Sequence, residues 1–128
     1  MKFGTNNKTS YFMNANTPYD IMTPLWHSNN LTIATATALG ITDAQFDGFV
    51  GYHLPNMLRK DVIPGSIPLT NIYHAPVEDV YEKIKQHVAD LSHERFESIL
   101  NKMQSRGFIH LVNGEIVKDR AMSANDGL

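Results

Sequence analysis

The clearest pattern in the chain lies in its last third. From Ser92, apolar residues recur at Phe96, Ile99, Leu100 and Met103, the i, i+3, i+4, i+7 spacing of one helix face. Ser92 is a good N-cap, because its hydroxyl can accept from a backbone N–H left free in the first turn. Gly107 is placed to end the helix, with Lys102 and Arg106 in or beside the last turn, where cations suit the negative end of the dipole. The period then changes. "RGFIHLVNGEIV" holds two short alternating runs around Asn113-Gly114, a pair that supplies both positive φ angles of a type I′ turn. This predicts a β-hairpin with Ile109, Leu111 and Val117 on one side and His110 and Glu115 toward water.

Upstream, Val77, Val80, Tyr81, Ile84 and Val88 mark the apolar face of a second helix. It begins with Pro76 in the first turn and ends near His87 or Val88. Glu78 and Asp79 favour its positive end, and Glu82, Lys83 and Lys85 lie on its other faces. Leu31 to Leu39 predicts a short helix stopped by Gly40. Thr42 with Gln45 is a capping-box pattern that opens a further helix bearing Phe46, Phe49, Val50 and His53 or Leu54, which Pro55 ends or kinks near His53. "RKDVIPGSIPLTNIYHAP" reads as a linker with one strand at Leu69–Tyr73, since Pro64-Gly65 and Pro68 forbid a helix. Residues 1–30 are rich in Asn, Thr and Ser, with Pro18, Pro24 and scattered aromatics. They read as an irregular arm with a short strand near Ser10–Met13 and with Trp26 as an anchor. The division is an arm over 1–30, a domain over 31–120 and a flexible tail over 121–128.

Composition narrows the chemistry. The 128 residues suit one domain, and a hydrophobic content of 42% supports one core. The net charge is -2 and the isoelectric point about 6.3, so no global basic field draws the chain to nucleic acid or to an anionic membrane. The absence of cysteine excludes disulfides, thiolate chemistry and cysteine zinc sites. No apolar run is long enough to span a membrane and no apolar leader segment opens the chain. The reading is cytoplasmic, and the sequons at Asn7 and Asn30 are chance matches. The six histidines form no His-x3-His or HExxH spacing. Serine-nucleophile signatures and glycine-rich phosphate loops are absent, and the acid pairs Glu78/Asp79 and Glu94/Glu97 read as solvated surface. No enzymatic activity, metal or cofactor is expected; an enzymatic reading would require a deep polar pocket.

The run strand, helix, helix, hairpin, with the Thr42 helix available as a third, resembles the winged helix-turn-helix superfamily over about Thr42 to Arg120. The phrase "LSHERFESILNKMQSRGFIHLVNGEIV" resembles its recognition helix and wing. The fold implied is mostly α with a small β component (α+β), with the N-terminal arm added. The resemblance implies a helix in the major groove and a wing on phosphate or minor groove. At about 100° per residue, Glu94, Ser98, Asn101 and Ser105 lie opposite the core face. Glu97 and Gln104 flank them on one side, Arg95 and Lys102 on the other. Ser98, Asn101 and Gln104 are types that read base edges. Arg95, Lys102, Arg106, Lys118 and Arg120 are types that clamp phosphates, and Ser92, His93 and His110 complete the candidate DNA-binding set.

Two functions follow. One is a DNA-binding regulator, or a replication or partition accessory of phage or plasmid type, acting on double-stranded DNA as a homodimer. The other is a protein-binding adaptor or inhibitor of the same fold. The first is the main reading and the second its alternative; Glu94 and Glu97 repel phosphate and weigh toward the second. The earlier helix pair also places Ala36, Gly40 and Ile41 in a helix-turn-helix pattern. However, no Lys or Arg occurs from Thr9 to Leu58, while Asp20, Asp43 and Asp47 do. Phosphate contact needs cations, so that pair reads as scaffold, protein-facing surface or dimer surface.

Overall fold

The computed structural model describes residues 17–62 and 71–118. The elements are α1 (Pro18–His27), α2 (Ile33–Ala38), α3 (Asp43–His53), a 3-10 turn (Leu54–Met57), β1 (Arg59–Val62), β2 (Asn71–Pro76), α4 (Val77–His87), α5 (His93–Ser105), β3 (His110–Val112) and β4 (Glu115–Lys118). The architecture is α+β. Helices enclose one hydrophobic core, closed on one side by an antiparallel sheet of strand order β1-β2-β4-β3. Among the described residues no helix is long and apolar enough to cross a membrane.

Local signals decide most helix ends. At α3 the capping box is complete: Gln45 N donates to Thr42 Oγ1 at 3.1 Å, and Thr42 N donates to Gln45 Oε1 at 2.9 Å. At α5, Arg95 N donates to Ser92 Oγ at 3.1 Å. Gly107 (φ +78°) then takes the left-handed conformation that ends the helix. The buried face of α5 is Phe96, Ile99, Leu100 and Met103, as the spacing predicts. The hairpin turn has positive φ at both Asn113 (+51°) and Gly114 (+78°), as a type I′ turn demands.

Four expectations are corrected. Residues 18–27 are helical, not irregular: Thr17 caps α1 and Pro18 occupies its first turn. Met22 and Trp26, one turn apart, are both buried, and that burial outweighs the cost of Pro24 inside the helix. The strand expected at Ser10–Met13 lies outside the described residues. Next, "RKDV" is a strand rather than linker, because β2 offers it a partner in the register Arg59↔His74 to Val62↔Asn71. Further, β2 runs to Pro76, which caps α4 rather than entering it; positions 69 and 70 lie outside the described residues, as do Arg120 and the tail. Lastly, Val117 does not share a face with Leu111. The two-residue turn pairs Leu111 with Ile116 and His110 with Val117, so Ile116 is the inward residue. One step along a strand reverses the face.

Long-range bonds join these elements. The Asp90 carboxylate, between α4 and α5, accepts from Ile33 N (2.7 Å) and Ala34 N (3.2 Å) at the start of α2. The buried Tyr81 hydroxyl donates to Leu91 O at 2.7 Å. Trp26 is 4% exposed. Its ring is stacked between His53 and His87, with centroids 4.6 and 4.2 Å away.

Candidate functional site

Helix α5 and the hairpin carry most of the residues that the pattern singles out. With its apolar face buried, α5 presents Glu94, Glu97, Ser98, Asn101 and Ser105 to solvent. Ser98 and Asn101 lie one turn apart on this outer side. Ser92 is occupied as the N-cap. His93 stacks on Tyr81 (centroids 3.9 Å apart) and its Nε2 lies 3.2 Å from Glu78 Oε1.

The flanking cations are turned toward α3. Arg95 Nε donates to Asp47 Oδ1 at 2.8 Å, and Lys102 Nζ donates to Asp47 Oδ2 at 2.7 Å. A longer bond (3.4 Å) joins Arg95 to Asp43, and the Arg95 guanidinium lies over the Phe46 ring. The Asp47 side chain is 3% exposed, and it is the buried charged residue among those described. A buried carboxylate requires such partners. The sequence holds a sign of this: Asp47 is a charge set among Phe46, Phe49 and Val50 on the apolar side of α3.

The remaining candidates are spread along the hairpin. Arg106 is exposed at the end of α5, and His110 is exposed on β3. Lys118 is half-buried at the end of β4, opposite Tyr73, which in turn faces Lys60 of β1. The Gln104 amide oxygen is taken up within the chain: its Oε1 accepts from Leu111 N at 2.7 Å. In the hairpin register Leu111 points its N–H away from β4, so Gln104 occupies the outward donor of an edge strand. At the turn, Val77 N donates to Gly114 O at 2.9 Å. The hairpin is therefore held against both α5 and α4.

Among the described residues, depressions adjoin α5 on several sides. A cleft of about 370 Å³ is lined by Tyr19, Gln45, Asp47, Gly48, Lys102 and Arg106. A shallow one along the outer face is lined by Glu94, Glu97, Ser98, Asn101, Lys102 and Ser105. A groove of about 360 Å³ runs between α5 and the hairpin, lined by Val77, Glu97, Leu100, Asn101, Leu111 and Gly114. Among the described residues no group of three or more His, Asp or Glu side chains converges as metal ligands do.

Two histidines away from α5 have shifted protonation. On the solvent side of the sheet, His74 is bonded to Asp61 on one side and to Glu115 on the other (2.9 Å). These two carboxylates hold its pKa above the usual imidazole range. His53 is held below that range, first by burial and then by His27 and His87. Comparison of the chain with protein-family models, with curated proteins and with solved structures returned no match.

Proposed function

We propose that this chain is a winged-helix binding module that engages a protein partner through α5 and the hairpin. The fold half of the reading is supported by element order: helix α3, strand β2, helices α4 and α5, then the β3–β4 hairpin, with β4 pairing to β2. The functional half is carried by one observation. Asp47 pairs with both Arg95 and Lys102, while Glu94 and Glu97 stand exposed on the outer face of α5 with no ion-pair partner among the described residues. Duplex DNA draws its affinity from cations set against phosphate, and that face would meet it with two carboxylates.

Regulation through DNA is the second reading. It is favoured by exposed Ser98 and Asn101 side by side and by exposed Arg106 and His110. A homodimer fits either reading, with Leu39 and Tyr52 as exposed apolar residues on the first helices; sedimentation equilibrium tests it.

Two measurements decide between protein and DNA. A photo-crosslinking residue placed at Ser98 is expected to yield protein adducts in cells, and one at Thr37 on α2 is not. A labelled random duplex is expected to show no saturable binding at low salt. Duplex binding that weakens steeply as salt rises, together with nucleic-acid adducts at Ser98, would overturn the proposal in favour of the second reading.

A further inference from the structure

We infer that the groove between α5 and the hairpin seats a basic amphipathic segment of the partner, with an aliphatic side chain in the groove and a Lys or Arg on Glu97. This inference rests on the protein-binding reading above and names the chemistry of the partner. The apolar lining comes from Val77, Leu100 and Leu111, and Glu97 and Asn101 form the polar rim. Glu94 stands one turn before Glu97 on the same exposed side. Among the described residues neither glutamate has an ion-pair partner, while the cations of the same helix, Arg95 and Lys102, are held by Asp47. An apolar trough with the Glu97 carboxylate at its rim is complementary to an aliphatic residue flanked by a cation.

The mode of docking follows from the edge of the sheet. Extending a sheet with a partner strand needs free outward N–H groups, and the Leu111 N–H already donates to Gln104. The segment therefore binds through side chains, as a helix laid in the groove does. The walls are fixed beforehand by the Gln104–Leu111 and Val77–Gly114 bonds, so little ordering cost opposes docking. A second copy of this chain is a poor occupant. Its exposed Tyr19, Leu39 and Tyr52 lie in a stretch without any Lys or Arg from Thr9 to Leu58, which leaves Glu97 unanswered, and its exposed Val112 belongs to the hairpin that bounds the groove itself.

The test uses the full chain, isotope-labelled, titrated with an amphipathic helical peptide of leucine and lysine, followed by amide shifts and by peptide anisotropy. Saturable binding is expected, with shifts centred on Glu97, Asn101, Leu111 and Gly114. Glu97→Lys is expected to weaken it by about tenfold or more, equivalent to about 1.4 kcal/mol. Glu82→Lys, an equal charge change on an exposed position of α4, is expected to leave it unchanged. Both sites are exposed, so the fold is not at risk, and thermal melting checks this. The inference is overturned if a leucine–glutamate peptide binds equally well, if both charge changes weaken binding alike, if the shifts fall elsewhere, or if no saturable binding occurs. Protein adducts at Ser98 alongside any of these failures would sink the groove assignment and leave the protein-binding reading standing. Nucleic-acid adducts with duplex binding would sink the reading itself.

Discussion

Lys102 of α5 and Asp47 of α3 are joined by a 2.7 Å bond between Nζ and Oδ2, and the other oxygen of the same carboxylate takes Arg95 at 2.8 Å. Fifty-five residues separate the first pair in the chain. The bond fixes the α3–α5 packing and sets the electrostatic character of the outer face of α5.

Removing either cation alone leaves Asp47 one partner. Arg95→Ala or Lys102→Ala should each cost about 1 kcal/mol. The double variant strands a buried carboxylate and should cost about 3–5 kcal/mol, so the two effects are not additive. Urea unfolding of the four proteins measures the coupling. Additive losses would mean that Asp47 is not held as the geometry has it.

Asp47→Asn releases Arg95 and Lys102 at a smaller cost of about 1–3 kcal/mol, because both side chains are partly exposed and can hydrate. If neutralisation by Asp47 is what keeps α5 off phosphate, this variant should gain salt-sensitive duplex binding that the parent lacks. Anisotropy with a labelled duplex at low and high salt reads the difference.

Asp90 supplies the carboxylate at the start of α2 that the helix itself lacks, since its first turn has no acid. Asp90→Ala should destabilise the protein by about 1 kcal/mol. It should also speed hydrogen exchange at Ile33 and Ala34 before it affects α5. Unchanged exchange at these two amides would remove the cap from the account of the fold.

The two shifted histidines act in opposite directions with pH. His53 titrates lower when folded than the usual value of about 6.5. Its contribution is therefore present above that value and is lost as pH falls and the unfolded chain takes up the proton first. His74 titrates higher when folded. Its contribution is complete below about 6.5 and is lost as pH rises through the folded pKa. His53→Phe should flatten the acid side of a melting-temperature profile, and His74→Gln the side above neutral onset. NMR titration of the two rings reads the shifts directly.

Gly114 has φ of +78° and open space where a Cβ would stand, so a substitution there is penalised through the backbone alone. Gly114→Ala should cost about 1–2 kcal/mol. The loss should show as faster exchange at the hairpin amides, including Ile116. An unaffected melting temperature would contradict a type I′ turn at this position.

What the chain determined alone was local. Thr42, Ser92, Gly107 and Asn113-Gly114 act on backbone groups within one turn of themselves, and the faces of α4 and α5 follow from spacing alone. The α1 helix was not read from the chain, because Pro18, Pro24 and the polar neighbours obscured Met22 and Trp26, which stand one turn apart. Tertiary structure decided the rest. β1 is a strand because β2 lies beside it; charged "RKDV" has no pattern of its own. Arg95 and Lys102 have the same local environment whether they face phosphate or Asp47, and only the packing of α3 on α5 selects between them. The same holds for Gln104 on Leu111, and for His74 between Asp61 and Glu115 across three strands. Backbone caps and turns close over a few residues and can be read in order. An ion pair between distant helices exists only once a shared core has brought them together.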